Sequence, residues 1–160
     1  MGIIQINIGD HTSSEPGYIT VPEGSKRDMV RWSRTKARWI AANIATADPY
    51  YRGLPGGKSL TELLADSGIW INYHATMVVL GETNFAGGKE IAIGNASFRV
   101  GRWTVLATLV HELAHVNGVR GAVLPRADEL AVLACGLGKR SEADTGVDDP
   151  FTPYNPTIRG

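Results

Sequence analysis

The spacing of the hydrophobic positions changes several times along the first half of the chain. Alternation in "IIQINI" predicts a short strand at the N-terminus, and "YITV" predicts a short extended piece. From Ser25 to Thr46 the chain has neither Gly nor Pro, and its apolar residues recur at helical spacing. We therefore expect an amphipathic helix there, which Asp48-Pro49 ends, followed by a loop over "YYRGLPGG".

The middle of the chain predicts one short helix and then strands. Ser59 and Glu62 have the spacing of a capping box, so "SLTELLADSG" should contain a short helix that Gly68 closes. The segments "IWINY", "TMVVLG" and "KEIAIGNASF" are rich in β-branched or aromatic residues and predict three strands. We expect "ETNFAGG", between the last two of them, to form a turn or loop.

Helical spacing returns in the C-terminal third. One helix is expected from about Trp103 to Asn117, ended by Gly118, and another over "RADELAVLACGLG". Strands followed by helices predict an α+β domain with a small mixed sheet of about 3–5 strands packed on these two helices. We expect a single domain over 1–140 and a loosely held C-terminal tail over 141–160, which is polar and contains three prolines.

The composition is that of an ordinary globular domain and does not indicate a binding partner. The 160 residues carry 16 basic and 16 acidic side chains, so net charge favours no partner. No apolar run reaches the length of a membrane span, and no signal peptide is visible. Cys135 is the single cysteine, which excludes an internal disulfide and is compatible with the cytoplasm. A domain released from a larger secreted protein would share these features, so compartment and oligomeric state stay open.

The chemistry of the chain is concentrated in "HELAH", at His111 to His115. Residues i and i+4 project from the same face of a helix, so His111 and His115 can direct ring nitrogens at one metal ion. Glu112 lies about 100° around the helix and need not bind the ion; it can accept a proton from water that the metal has acidified. Surrounding apolar residues predict that the helix is buried and rigid.

From Thr104 to Gly118 the chain resembles the zincin superfamily of zinc metallopeptidases. The resemblance implies one catalytic zinc ion held by His111 and His115, with Glu112 as general base. It also implies a mixed sheet whose edge strand lies above the active-site helix and pairs with an extended substrate. Asn95-Ala96, in the strand predicted over "KEIAIGNASF", is similar to the substrate-binding edge strand of thermolysin-like enzymes.

The third ligand distinguishes the branches of that superfamily. Metzincins place a third histidine three residues after the motif glycine, but Gly121 occupies that position here. Gluzincins use a glutamate from a later helix, and the chain is gluzincin-like in offering Glu129 there. Asp128 is the alternative, and the acid that does not bind the metal would orient a histidine ring. The competing interpretation is that both are solvated acids that favour a helix start.

Other residues offer weaker signals. The oxyanion of a transition state usually needs a further partner, and Tyr73 or His74 is our expectation, with Arg120 and Arg126 also available. Six basic residues in "KRDMVRWSRTKARW" favour a solvated helix face over a nucleic-acid contact, because the whole chain is not basic.

The sequence thus predicts a zinc metallopeptidase that acts on a polypeptide substrate through water and a glutamate base. Two alternatives stay open. One is a toxin or effector-type peptidase domain directed at one protein target. The other is a non-catalytic module that the metal only stabilises.

Overall fold

The computed structural model describes residues 2–121, 126–138 and 144. The tail predicted over 141–160 lies outside these residues, apart from Asp144, so the boundary after residue 140 stays a prediction. Four strands and six helices are described, which confirms the α+β class and the small mixed sheet. The strands are β1 (Gln5–Ile6), β2 (Trp70–His74), β3 (Gly81–Thr83) and β4 (Glu90–Gly94). The helices are α1 (Ser25–Asn43), α2 (Ala47–Arg52), α3 (Leu60–Leu64), α4 (Asn95–Val100), α5 (Arg102–Val116) and α6 (Ala127–Ala134).

The strands form one sheet in the order β1-β2-β4-β3. The first three are parallel to one another, whereas β3 is antiparallel to β4, with Glu82 opposite Ala92. Every residue of β4 is buried, as expected for an internal strand, while β3 lies at the edge. The antiparallel edge strand is therefore β3.

Helix α5 lies at the centre of the domain, in contact with α1, α6 and β3. Its leucines at 106, 109 and 113 are completely buried, and each such side chain contributes about 1.5–3 kcal/mol of hydrophobic stabilisation. Fully buried isoleucines of β2 and β4 belong to the same core. A helix enclosed on several sides in this way is a rigid support for the polar side chains that it carries.

Local signals in the sequence predicted α1, α3, α5 and α6. The capping box is formed on both sides: the Glu62 amide donates to Ser59 Oγ at 3.0 Å, and the Ser59 amide donates to Glu62 Oε1 at 3.1 Å. Helix α1 ends at Asn43, three residues before the predicted end. Helix α3 is shorter than expected, with Ala65 rather than Gly68 at its C-cap.

Helix α2 replaces part of the loop expected over "YYRGLPGG". Pro49 lies in the first turn of α2, where its missing amide hydrogen is not needed for an intrahelical hydrogen bond. Asp48 and Pro49 therefore lie inside α2 and do not end α1, which stops at Asn43, so that part of the prediction was wrong.

One strand prediction was wrong, and another was right only for its first part. In "TMVVLG", residues 76–80 form bends, because His74 Nδ1 accepts from the amides of Thr76 and Met77 and ends β2 in a turn. Val78 is 93% exposed, so these β-branched residues do not mark a buried strand. The strand over "KEIAIGNASF" stops at Gly94, where α4 begins and buries Phe98.

The basic stretch of α1 has several contacts within the chain. Arg27 donates to the Val21 carbonyl oxygen at 2.7 Å, and Arg34 donates to that of Ile4 at 2.9 Å. Lys36 Nζ lies 5.1 Å from the centre of the Trp39 ring. The first two contacts tie α1 to neighbouring segments, and the third lies within α1. Among the described helices, none is long and apolar enough to cross a membrane.

Candidate metal centre

Helix α5 carries the histidine motif in its last turns and then stops sharply. Gly118 follows the helix with φ of 90°, a left-handed conformation that glycine adopts without a steric penalty. The carbonyl oxygen of Asn117 accepts from the amide of Gly56, which fixes this end of the helix to the loop after α2. Helix α6 then packs against α5 and brings its first turn to the two histidines.

Three side chains from these two helices converge. Asp128 Oδ2 lies 3.2 Å from His111 Nε2 and 3.0 Å from His115 Nε2, and the two Nε2 atoms are 3.3 Å apart. We call His111, His115 and Asp128 the histidine cluster. Among the residues that the structure describes, this is the group whose donor atoms are close enough together to hold one metal ion.

The other nitrogen of each imidazole has a hydrogen-bond acceptor of its own. His115 Nδ1 lies 2.8 Å from the Val119 carbonyl oxygen, and His111 Nδ1 lies 2.8 Å from Glu129 Oε1. A carbonyl or carboxylate oxygen only accepts, so both Nδ1 atoms carry the hydrogen. By the same reasoning both Nε2 atoms carry a hydrogen toward Asp128 while no metal is bound, and loss of those protons would free both Nε2 lone pairs for an ion. Orientation of a ligand histidine through its second nitrogen is usual at metal sites.

Asp128 is ionised in this environment. Its side chain is buried, which alone would raise the pKa of the carboxyl group. Hydrogen bonds to His111, His115 and Arg126 outweigh burial and hold the pKa of Asp128 far below its usual range. Arg126 contacts both carboxylate oxygens, with Nε to Oδ1 at 3.1 Å and a terminal nitrogen to Oδ2 at 2.6 Å.

Each histidine also has a raised pKa. Burial alone would lower the pKa of His111, but hydrogen bonds to Asp128 and Glu129 raise it well above its usual value. The same balance, with Asp128 as the main partner, raises the pKa of His115. Without a metal, the acids therefore stabilise protonated histidines. A metal ion would have to displace those protons.

Glu112 stands beside the histidine cluster without belonging to it. Its Oε2 lies 3.8 Å from His111 Nε2, and its Oε1 accepts from the Thr83 hydroxyl at 3.0 Å. Burial raises the pKa of Glu112, while the charges of His111 and His115 oppose that rise. A nearly enclosed carboxylate with a raised pKa fits a proton acceptor better than an inert surface acid.

Strand β3 lies directly over this part of α5. Thr83 contacts Glu112, and a β-carbon built on Gly81 would lie 2.4 Å from Thr108 Cγ2 and 3.4 Å from Glu112 Oε2. Only a residue without a side chain lets the strand approach the helix this closely. The edge strand is thus held against Thr108 and Glu112 of α5.

The three donor atoms fit a zinc ion. Points with the separations found here lie on a circle of radius about 1.8 Å, slightly less than the ~2.0–2.2 Å of zinc bonds to nitrogen and oxygen. His111, His115 and Asp128 would hold such an ion, and a catalytic zinc normally has three protein ligands together with a water or substrate. Two imidazoles and one carboxylate are also a donor set typical of catalytic zinc.

Of the two candidate acids, Asp128 is the one that faces both Nε2 atoms. Glu129 contacts the opposite nitrogen of His111 and lies outside the histidine cluster. The sequence favoured Glu129 over Asp128, and the two residues are neighbours near the border of the same buried helix face. The structure places both of them at the site.

The residues predicted for substrate binding lie elsewhere. Asn95 and Ala96 are in helix α4, and β4 before them is an internal strand, so the edge-strand prediction was wrong for these two residues. The Tyr73 hydroxyl lies 3.3 Å from Asn95 Oδ1, and His74 caps the turn after β2. These contacts do not support an oxyanion role for either residue.

Sequence reasoning missed Thr83 and the Val119 carbonyl group. Thr83 belongs to a segment that was predicted as turn or loop, and a main-chain oxygen has no signature in the sequence. An open cavity of about 500 Å³ borders His115, and its lining is Phe85, Ala86, His115, Val119, Arg120 and Gly121. Its size is within the range of small-molecule and side-chain pockets.

Comparisons of the chain with protein-family models, curated proteins and solved structures found no match. The inference of function therefore depends on the site itself.

Proposed function

We propose that the protein is a zinc-dependent hydrolase of zincin type that cleaves peptide bonds. The observation that carries this proposal is the convergence of His111, His115 and Asp128, with Glu112 beside them and outside the ligand set. A helix that only happened to contain two histidines would not need a buried acid from another helix at both Nε2 atoms.

The ligands that we propose are His111, His115 and Asp128. Glu129, which the sequence favoured as third ligand, is assigned the role of fixing the His111 ring through Nδ1. With an aspartate as third ligand, the basis for a gluzincin-like assignment is lost. The zincin proposal itself is unaffected, since it depends on the motif in α5.

The position of β3 also supports the proposal. The resemblance to zincins implies an edge strand above the active-site helix, and β3 is an antiparallel edge strand in contact with Glu112. We expect an extended peptide to lie along the outer edge of β3, the strand that contacts Glu112. Main-chain hydrogen bonds to such an edge hold a peptide without demanding a particular sequence.

The chemistry divides between the ion and the side chains. Zinc, when bound, polarises a carbonyl group and lowers the pKa of water. Glu112 is placed to accept the proton of the attacking water and to pass it to the leaving amine. Thr83 orients the Glu112 carboxylate, and burial keeps bulk water away from it.

The test is Glu112→Gln, which removes the base and keeps the shape of the side chain. Peptides from a digested proteome are incubated with zinc-loaded protein, and new termini are counted by mass spectrometry. We expect cleavage by the wild type, none by Glu112→Gln, and equal zinc content in both. The matched control is Glu23→Gln, at an exposed glutamate of the loop before α1, which should cleave like the wild type.

Two other results would count against the proposal. Cleavage by Glu112→Gln at the wild-type rate would refute the role of Glu112. A wild-type protein that binds zinc and cleaves no peptide would favour a metal-stabilised module.

A further inference from the structure

Two consecutive tyrosines on α2 contact the two helices that carry the histidine cluster. The Tyr50 hydroxyl donates to the Ala127 carbonyl oxygen at 2.8 Å, and the Tyr51 hydroxyl donates to the Val110 carbonyl oxygen at 2.5 Å. Ala127 directly precedes Asp128, and Val110 directly precedes His111. We call Tyr50 and Tyr51 the tyrosine pair.

The two hydroxyls thus reach the main chain one residue before a proposed ligand on each helix. The tyrosine rings are 6.3 Å apart and nearly perpendicular, so neighbouring residues of one short helix point toward two different helices. Helix α2 thereby joins α5 to α6 at the level of the donor atoms.

The hydrogen bonds of the tyrosine pair are made by side chains that are wholly or partly buried. Tyr51 is completely buried, where no water competes for the Val110 carbonyl group. Burial raises the pKa of the Tyr51 hydroxyl well above its usual value, so this group remains a donor. Tyr50 is partly buried and packs against the core, which restricts its ring.

A second contact joins α2 to the far end of α6. The Thr46 hydroxyl, just before α2, donates to the Ala134 carbonyl oxygen at 2.6 Å. This bond attaches α6 to the same segment but lies six residues beyond Asp128 along the helix. It provides a comparison between attachment of α6 in general and attachment near the ligand.

We propose that the tyrosine pair are positioning residues that set the distance between Asp128 and the two histidines. The inference depends on the proposed metal site and goes beyond its ligand set. Donor atoms on different helices share one ion only when the helices keep a fixed separation. Loss of either hydroxyl would let the carbonyl group that it holds shift, and the ligand beside it would follow.

The expected effect is weaker metal binding with a changed coordination geometry. Partners that orient ligands typically change metal affinity by about 10–100-fold when they are removed. We expect about a tenfold loss of zinc affinity in Tyr50→Phe and at least as much in Tyr51→Phe. A residue that served only general stability would lower the melting temperature of the metal-free protein and leave affinity and geometry unchanged.

The experiment compares Tyr50→Phe and Tyr51→Phe with two controls. Tyr73→Phe removes a tyrosine hydroxyl that contacts Asn95 on α4, and Thr46→Val removes the distant bond to α6. Zinc affinity is measured by competition with a chromophoric chelator. The visible spectrum of the cobalt-substituted protein reports coordination geometry, and circular dichroism gives the melting temperature of each metal-free variant.

Weaker zinc binding and an altered cobalt spectrum in Tyr50→Phe, with both controls like the wild type, would support the proposal. If Tyr51→Phe does not fold, the zinc affinity and cobalt spectrum of Tyr50→Phe alone test the proposal, because Tyr50 is the less buried of the two. An unchanged affinity and spectrum in Tyr50→Phe would overturn the inference while the proposed function stands. An equal effect of Thr46→Val would overturn it too. A wild-type protein that binds neither metal would overturn both.

Discussion

The roles of the two neighbouring acids on α6 give the sharpest quantitative prediction. Asp128 is assigned to the metal and Glu129 to the Nδ1 hydrogen of His111. The changes Asp128→Asn and Glu129→Gln each replace a carboxylate by an amide of nearly the same shape. Because the two substitutions are chemically equivalent, a difference in zinc affinity between the two variants reflects only where each acid lies in the site.

The expected loss of zinc affinity in Glu129→Gln follows from the hydrogen bond between Glu129 and His111 Nδ1. A bond to a charged group contributes about 1.5–3 kcal/mol, and a bond between neutral groups about 0.5–1.5 kcal/mol. The amide oxygen of Gln still accepts from His111 Nδ1, so the loss is the difference, about 1–1.5 kcal/mol. Zinc affinity should therefore fall about tenfold. Asp128→Asn replaces a charged ligand atom by a neutral amide, and we expect a loss beyond ~100-fold, the upper range for orienting partners.

The assay is a zinc titration against a chromophoric chelator at fixed pH and ionic strength, with the melting temperature of each metal-free variant as the control for folding. Fixed pH matters because zinc competes with protons on histidines of raised pKa. If Glu129→Gln lost more affinity than Asp128→Asn, the assignment of the two acids would be reversed. Equal small losses in both would show that neither acid binds the metal.

The remaining predictions concern β3 and the core. Gly81→Ala should destabilise the protein by about 1–3 kcal/mol, because its new β-carbon would meet Thr108 Cγ2 at 2.4 Å. Adding Thr108→Ser, which deletes that methyl group, should restore part of the loss in urea denaturation, and no recovery would contradict this reason. Burial raises the pKa of the Cys135 thiol to about 12, so iodoacetamide should label it slowly in native protein at about pH 8 and rapidly in urea. Equally rapid labelling in both conditions would show that Cys135 is accessible.

The parts of the fold that the sequence predicted are those with local causes. The spacing of apolar residues defined α1, α5 and α6, and the capping box of Ser59 and Glu62 defined the start of α3. The histidine motif placed His111, Glu112 and His115 together because i and i+4 share a helix face. These features need no information about distant residues.

The parts that the sequence missed depend on tertiary contacts. Residues 76–80 are as β-branched as a strand, but the turn capped by His74 directs them into solvent. Asn95 continues an apolar run, yet the chain turns into α4 after β4 ends. The choice between Asp128 and Glu129 depends on a rotation of about 100° around α6, which the pattern of buried residues does not resolve. Thr83, Tyr50 and Tyr51 reach the site only through packing.

The central claim is that the two helices together form a metal site, and metal content tests it most directly. Purified, untagged protein is reloaded with zinc, dialysed and measured by inductively coupled plasma mass spectrometry, beside His111→Ala and Asp128→Asn. We expect about one zinc ion per chain in the wild type and little in either variant. No zinc in the wild type after reloading, or full occupancy in both variants, would contradict it.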